Sequence, residues 1–165
     1  MHLWLKPEQA QELATYARKA QPNECCGVIL GTKNAVEQVI PLPNVASEPK
    51  YNYHIDEKAL LKVLYEAERS QQEIVGFYHS HPRTEPIPSA TDTKLATYPD
   101  TAYVIVGLWN GEARLAAWSI KRNQVAPIKL IISADKPVIE SAQLTIVQKR
   151  AIIASAIIAF TTFTI

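Results

Sequence analysis

Two histidines one residue apart, His79 and His81, precede a proline-rich stretch and then Ser89 and Asp92, in the run HSHPRTEPIPSATD. The chain has only four histidines, and two of them directly flank Ser80. Side chains alternate faces along an extended strand, which directs His79 and His81 to one side and Ser80 to the other. Two imidazoles leaving one strand end on the same side can bind a single divalent ion. Zinc takes such nitrogen ligands together with a carboxylate and, in catalytic sites, keeps a fourth position for water. Asp92 supplies that carboxylate if residues 82–88, with Pro82, Pro86 and Pro88, bring the chain back towards the histidines.

Each of these features also has a structural reading. Ser89 and Asp92 have the spacing of a helix capping box, with Ser89 as N-cap of a short helix over ATDTKLATY. Cap and ligand are compatible, because a cap places both side chains in the first turn, at the helix end that favours negative charge. His79 and His81 alone could be a buried, hydrogen-bonded pair.

The elements that must position these residues follow from periodicity. KPEQAQELATYARKA opens with Pro7 and Glu8, closes with Arg18 and Lys19 near its end, and spaces its apolar residues as an amphipathic helix does. CCGVILG reads as a buried strand, AVEQVIPL as its hairpin partner, and YNYHI as extended. DEKALLKVLYEAERSQQ, with Ala59, Leu60, Val63, Leu64 and Ala67 in register, is a second helix. EIVGFYHSH does not alternate apolar with polar residues, so it is buried on both faces and central in its sheet. TAYVIVGLWNGEARLAAWSI predicts two strands around a type I′ turn at Asn110-Gly111. Hairpins and crossovers together predict an α/β fold of the mixed α+β kind, a mixed sheet flanked by helices.

Composition narrows the function. A chain of 165 residues suits one domain with a sizeable core. Seventeen Lys and Arg against sixteen Asp and Glu leave a net charge of +1 and no basic block, which argues against a nucleic-acid surface. Cys25 and Cys26 are adjacent, and neighbouring Cα atoms about 3.8 Å apart are too close for an ordinary disulfide. They read as reduced thiols of a cytoplasmic protein. The segment MHLWLKPEQAQEL lacks the basic and apolar regions of a secretion signal.

Residues 151–165 carry no charge. As a helix they would span about 22 Å, short of the roughly 30 Å of a bilayer core. The expectation is that residues 144–165 pack on the domain or on a second copy of the chain rather than in lipid.

With these residues in view, HSHPRTEPIPSATD resembles the JAMM metalloprotease motif of the JAB1/MPN/Mov34 family, and PNECCGVILG resembles the segment around the upstream glutamate in its bacterial stand-alone branch. The resemblance implies a curved mixed sheet with flanking helices, the MPN/JAMM (cytidine-deaminase-like) architecture, over residues 1–132. Residues 133–165 would be an extension without a domain of their own. It implies one zinc ion per chain held by His79, His81 and Asp92, with Glu24 as general acid and base and Ser89 as oxyanion stabiliser. It also implies a substrate: a peptide or isopeptide bond at the C-terminus of a small β-grasp ubiquitin-like or sulfur-carrier protein. Cys26 shares a strand face with Glu24, which brings it near the metal.

The chemistry agrees with those roles. Zinc brings the pKa of a bound water towards 7, a carboxylate in reach can carry the proton, and a hydroxyl can donate to a developing oxyanion. The alternative is a non-catalytic scaffold of the same fold, which would have no use for Glu24 as a base. An amidohydrolase barrel requires about 250 residues. A zinc deaminase would show H-x-E and P-C-x-x-C, which this chain lacks.

Overall fold

The structure, a computed structural model, describes residues 2–137. Among them the elements run β1 (His2–Leu5), α1 (Pro7–Ala20), β2 (Cys26–Thr32), β3 (Ala35–Leu42), α2 (Glu57–Arg69), β4 (Glu73–His81), α3 (Ala90–Leu95), β5 (Ala102–Gly107), β6 (Arg114–Lys121) and β7 (Gln124–Ile132). The strands form one mixed sheet in the order β1-β3-β2-β4-β5-β6-β7. It closes on itself because β1 pairs in parallel with both β3 and β7.

β4 lies between antiparallel β2 and parallel β5, and every residue from Val75 to His81 is buried. That is the central position its unbroken apolar run predicts. Side chains of successive residues leave the sheet on opposite faces, and each face has its own helix. Tyr78, Ile29, Val104 and Val106 pack with Leu13 and Ala17 of α1. Phe77, Val28, Leu30 and Ile120 pack with Val63 and Ala67 of α2. Burying each Val, Leu, Ile or Phe side chain among these contributes about 1.5–3 kcal/mol.

Both helices start where local chemistry predicts. Pro7 occupies the start of α1, and the Lys6 amide donates to Gln9 Oε1 at 2.8 Å. Asp56 caps α2, its Oδ1 accepting from the Ala59 amide at 2.8 Å.

Three features depart from expectation. β1 and β7, which close the sheet, carry no strong periodic signal; HLWL is short, and β7 contains Pro127. Asn110 and Gly111 do adopt positive φ, 55° and 81°, but within a 3₁₀ turn at Trp109–Gly111 rather than a two-residue hairpin. The tight left-handed turn is instead at Arg122-Asn123, between the paired residues Lys121 and Gln124. Of the YNYHI segment only Ile55 makes a strand-like bridge, to Asn44.

No helix among the described residues is long and apolar enough to cross a membrane. The expectation for residues 144–165 lies outside the described residues.

Candidate active site

The end of β4 aims His79 and His81 at a common point on the α2 side of the sheet. Their Nε2 atoms are 3.0 Å apart. Asp92 completes the group, Oδ1 lying 3.4 Å from His79 Nε2 and Oδ2 3.3 Å from His81 Nε2. A tetrahedral ion with ligands at 2.0–2.1 Å separates its ligand atoms by about 3.3 Å, so the donor types and their spacing fit one zinc ion. Among the described residues this trio is the group able to hold a metal.

What returns Asp92 to β4 is the loop of residues 82–88, seated on the sheet. A Cβ on Gly107 would lie 2.6 Å from Pro86 N and 2.7 Å from the Thr84 carbonyl oxygen, so the loop rests on the bare backbone of β5. Trp118 Nε1 donates to the Pro86 carbonyl at 2.8 Å, and Arg114 reaches Glu85 at 3.3 Å. Ser89 then caps α3. Its amide donates to Asp92 Oδ2 at 2.7 Å, and the Asp92 amide donates back to Ser89 Oγ at 3.1 Å.

Glu24 precedes β2 and is only 7% exposed. Its amide donates to the Pro49 carbonyl at 2.7 Å, and its carbonyl accepts from Asn44 Nδ2 at 3.0 Å. Ser80, on the opposite face from the histidines, accepts from the Cys25 amide at 2.9 Å and so ties β4 to the Glu24 segment. Glu24, His81 and Ser89 consequently line one cleft of about 300 Å³.

Second contacts orient the rings. His81 Nδ1 faces the Glu85 carbonyl at 3.2 Å; a carbonyl only accepts, so Nδ1 carries hydrogen and the neutral ring offers Nε2 as its lone pair. The Tyr53 ring stacks on His79, with centroids 4.3 Å apart and planes at 19°. Tyr53 and Asn44 were not legible as site residues; both act through a loop without periodicity. Cys26 is fully buried with Sγ towards the Leu42 carbonyl at 3.6 Å, outside the trio. Burial pushes its thiol up to about 12, with Cys25 and Glu24 adding to the effect, so it stays protonated.

Burial and the neighbouring charges compete in setting the electrostatics. Burial lifts Glu24 to about 7, with His81 pulling down and Asp92 pushing up. Burial holds His79 below the usual histidine range against the opposing effect of its hydrogen bond to Asp92. Burial acts the same way on His81, but the hydrogen bond and charge of Asp92 and the charge of Glu24 outweigh it and raise His81. For Asp92 burial acts upwards, yet hydrogen bonds from His79, His81 and Ser89 hold it well below the carboxylate range. The arrangement places a carboxylate able to exchange a proton near neutral pH beside a three-donor cation site.

Known proteins share this frame. The family model for prokaryotic homologs of the JAB domain matches residues 6–121. A desampylase of Haloferax volcanii is 37% identical over 109 residues, covering 62% of this chain and 78% of that protein. A CysO-cysteine peptidase of Mycobacterium tuberculosis is 38% identical over 106 residues, covering 63% and 72%. Among solved structures, a protein of Desulfitobacterium hafniense superposes with a TM-score of 0.73 at 30% identity, covering 81% of this chain and 94% of that one. A JAB1/MPN domain protein from Archaeoglobus fulgidus, 17% identical with a TM-score of 0.53 over 79% of this chain and 98% of that one, shares the fold.

Proposed function

The chain belongs to the family of prokaryotic JAB-domain homologs, and on that premise we propose that it is a zinc-dependent peptidase acting at the C-terminus of a small ubiquitin-like or sulfur-carrier protein. The observation that carries this reading is the convergence of His79, His81 and Asp92 on one point beside the cleft that Glu24 and Ser89 line. The relatives named as a desampylase and a CysO-cysteine peptidase support the substrate class.

In this reading His79 Nε2, His81 Nε2 and an Asp92 oxygen hold one zinc ion per chain. Zinc bound there supplies a Lewis acid and makes water acidic enough to react near neutral pH. The Glu24 carboxylate takes the proton of the attacking water and passes it to the leaving nitrogen, a task open to a carboxylate that burial raises above its ordinary range. Ser89 Oγ accepts from the Asp92 amide, which leaves its hydroxyl hydrogen free to donate to the carbonyl oxygen as negative charge develops. A scaffold without catalysis has no need for a buried carboxylate in the cleft, and Glu24 therefore favours the enzyme.

The catalytic domain would comprise residues 1–132, with 133–165 as an extension through which two copies could associate. The two free cysteines support a cytoplasmic location.

The test is to analyse the purified protein for metal and incubate it with carrier proteins ending in Gly-Gly plus a C-terminal extension. Mass spectrometry should find the carrier trimmed to Gly-Gly and the extension released. Zinc-loaded protein that leaves both peptide-extended and isopeptide-linked carriers intact would overturn the reading.

A further inference from the structure

The cleft holds two cations that the hydrolytic roles leave unused. Lys50 and Arg83 line it together with Glu24, His81 and Ser89. Among the described residues neither has a carboxylate oxygen within 4.0 Å, whereas Arg114 and Lys121 each do. The Arg83 guanidinium instead lies 5.0 Å from the centroid of the Tyr51 ring, which also lines the cleft. A cation–π contact of this kind orients the guanidinium while leaving its N–H donors available.

The backbone that places the reacting groups also places these cations. The carbonyl of Pro49, next to Lys50, accepts from the Glu24 amide at 2.7 Å. Arg83 follows His81 by two residues, across the buried Pro82. Both cations therefore line the same cleft as Glu24, His81 and Ser89, where the group that follows the scissile bond must be accommodated.

The chemistry of the substrate decides which anion that is. When the carrier's last carbonyl is joined to the α-amine of one amino acid, a free carboxylate hangs from the same carbon as the scissile nitrogen. When it is joined to a lysine side chain of another protein, no charge lies near that nitrogen. Resting on the peptidase reading, we propose that Lys50 and Arg83 bind the α-carboxylate of a single residue following the scissile bond, which makes this protein selective for carriers extended by one free-ended amino acid over isopeptide conjugates. Hydrolysis then forms a bond from the water oxygen to the carrier's terminal carbonyl carbon and breaks the C–N bond. Glu24 delivers the proton to the nitrogen, and the amino acid leaves intact.

The experiment uses one carrier ending in Gly-Gly followed by a single residue, made as the free acid and as the carboxamide, and the same carrier in isopeptide linkage to lysine. Zinc-loaded protein should cleave the acid with a kcat/KM at least about tenfold above the other two, the size expected of a charge-assisted hydrogen bond. That ratio should fall towards one in Arg83→Gln with Lys50→Gln, and Arg83→Lys should retain part of it. Equal rates on acid and amide by the unsubstituted protein would overturn the proposal. So would an equal loss on all three substrates in the double variant, which would place the cations against the carrier itself.

Calorimetric affinities of the zinc-loaded Glu24→Gln protein for the acid and amide carriers separate this proposal from the peptidase reading. Tighter binding of the acid without cleavage by the unsubstituted protein upholds the anion site and sinks the peptidase. Cleavage without any preference in affinity or rate does the reverse.

Discussion

Ser89 and Asp92 hold each other: the Ser89 amide donates to Asp92 Oδ2 at 2.7 Å and the Asp92 amide to Ser89 Oγ at 3.1 Å. The capping box and the candidate site are therefore the same two side chains. The cap spends one Asp92 oxygen and one lone pair of Ser89, and it leaves the Ser89 hydroxyl hydrogen for other work. Ser89→Ala should retain zinc, lose about 1 kcal/mol of stability as a lost cap does, and slow turnover roughly 10²–10³-fold as a lost oxyanion donor does. Ser89→Gly, a cap worth nearly as much as serine, should show the kinetic loss with little of the thermal one. Thermal melts with steady-state rates on the two variants check this; equal turnover by both variants and the unsubstituted protein would remove Ser89 from catalysis.

Glu24→Gln should keep zinc and the fold while turnover falls by about 10²–10⁴-fold, since only a proton carrier is removed. The unsubstituted enzyme should show an acidic limb in its pH–rate profile at or below about 7, where Glu24 ionises. That limb should vanish in the variant, and a surviving limb would assign the base elsewhere.

His81→Ala should lose metal and activity together, because two remaining protein ligands hold an ion poorly. Elemental analysis after dialysis is the direct measurement. Glu24→Gln assayed alongside distinguishes loss of ligand from loss of base.

In metal-free protein the two buried carboxylates should pull stability in opposite directions with pH. The folded Glu24 has its pKa raised from 4.5 to about 7, so its neutral form is favoured by folding. Its contribution is fully present below 4.5 and is lost as pH rises through about 7. Folded Asp92 is held well below its ordinary 3.8, so its contribution is present above that value and fades as pH falls further. Denaturant titrations between pH 4 and 8 should find Glu24→Gln flatter than the unsubstituted protein, and parallel curves would contradict the assignment.

Gly107→Ala tests the seat of the loop. A methyl group there meets Pro86 and the Thr84 carbonyl inside contact distance, so the loop must lift. Overpacking of this kind costs about 1–3 kcal/mol, and zinc affinity should weaken as well, because that loop leads into α3, which carries Asp92. A variant with unchanged melting temperature and metal affinity would show that the loop does not depend on this contact.

Several features of this protein were determined by the sequence alone. The 3.6-residue apolar spacing of α1 and α2, the unbroken apolar run of β4 and the offsets between His79, His81, Ser89 and Asp92 are local patterns. A helix or strand reports its buried face through its own periodicity, and side-chain alternation on β4 suffices to pair the two histidines. Closure of the sheet is of another kind. It joins His2 to Lys129 and Leu5 to Ile132 through strands with little pattern of their own, and nothing near either end of such a pair encodes the other. The same limit hid the stacking of Tyr53 on His79 and the grip of Asn44 on the Glu24 backbone. It also hid the meeting of Lys50 and Arg83 in one cleft with Glu24. Those contacts come from loops, whose paths are set by what the finished sheet leaves for them to pack against.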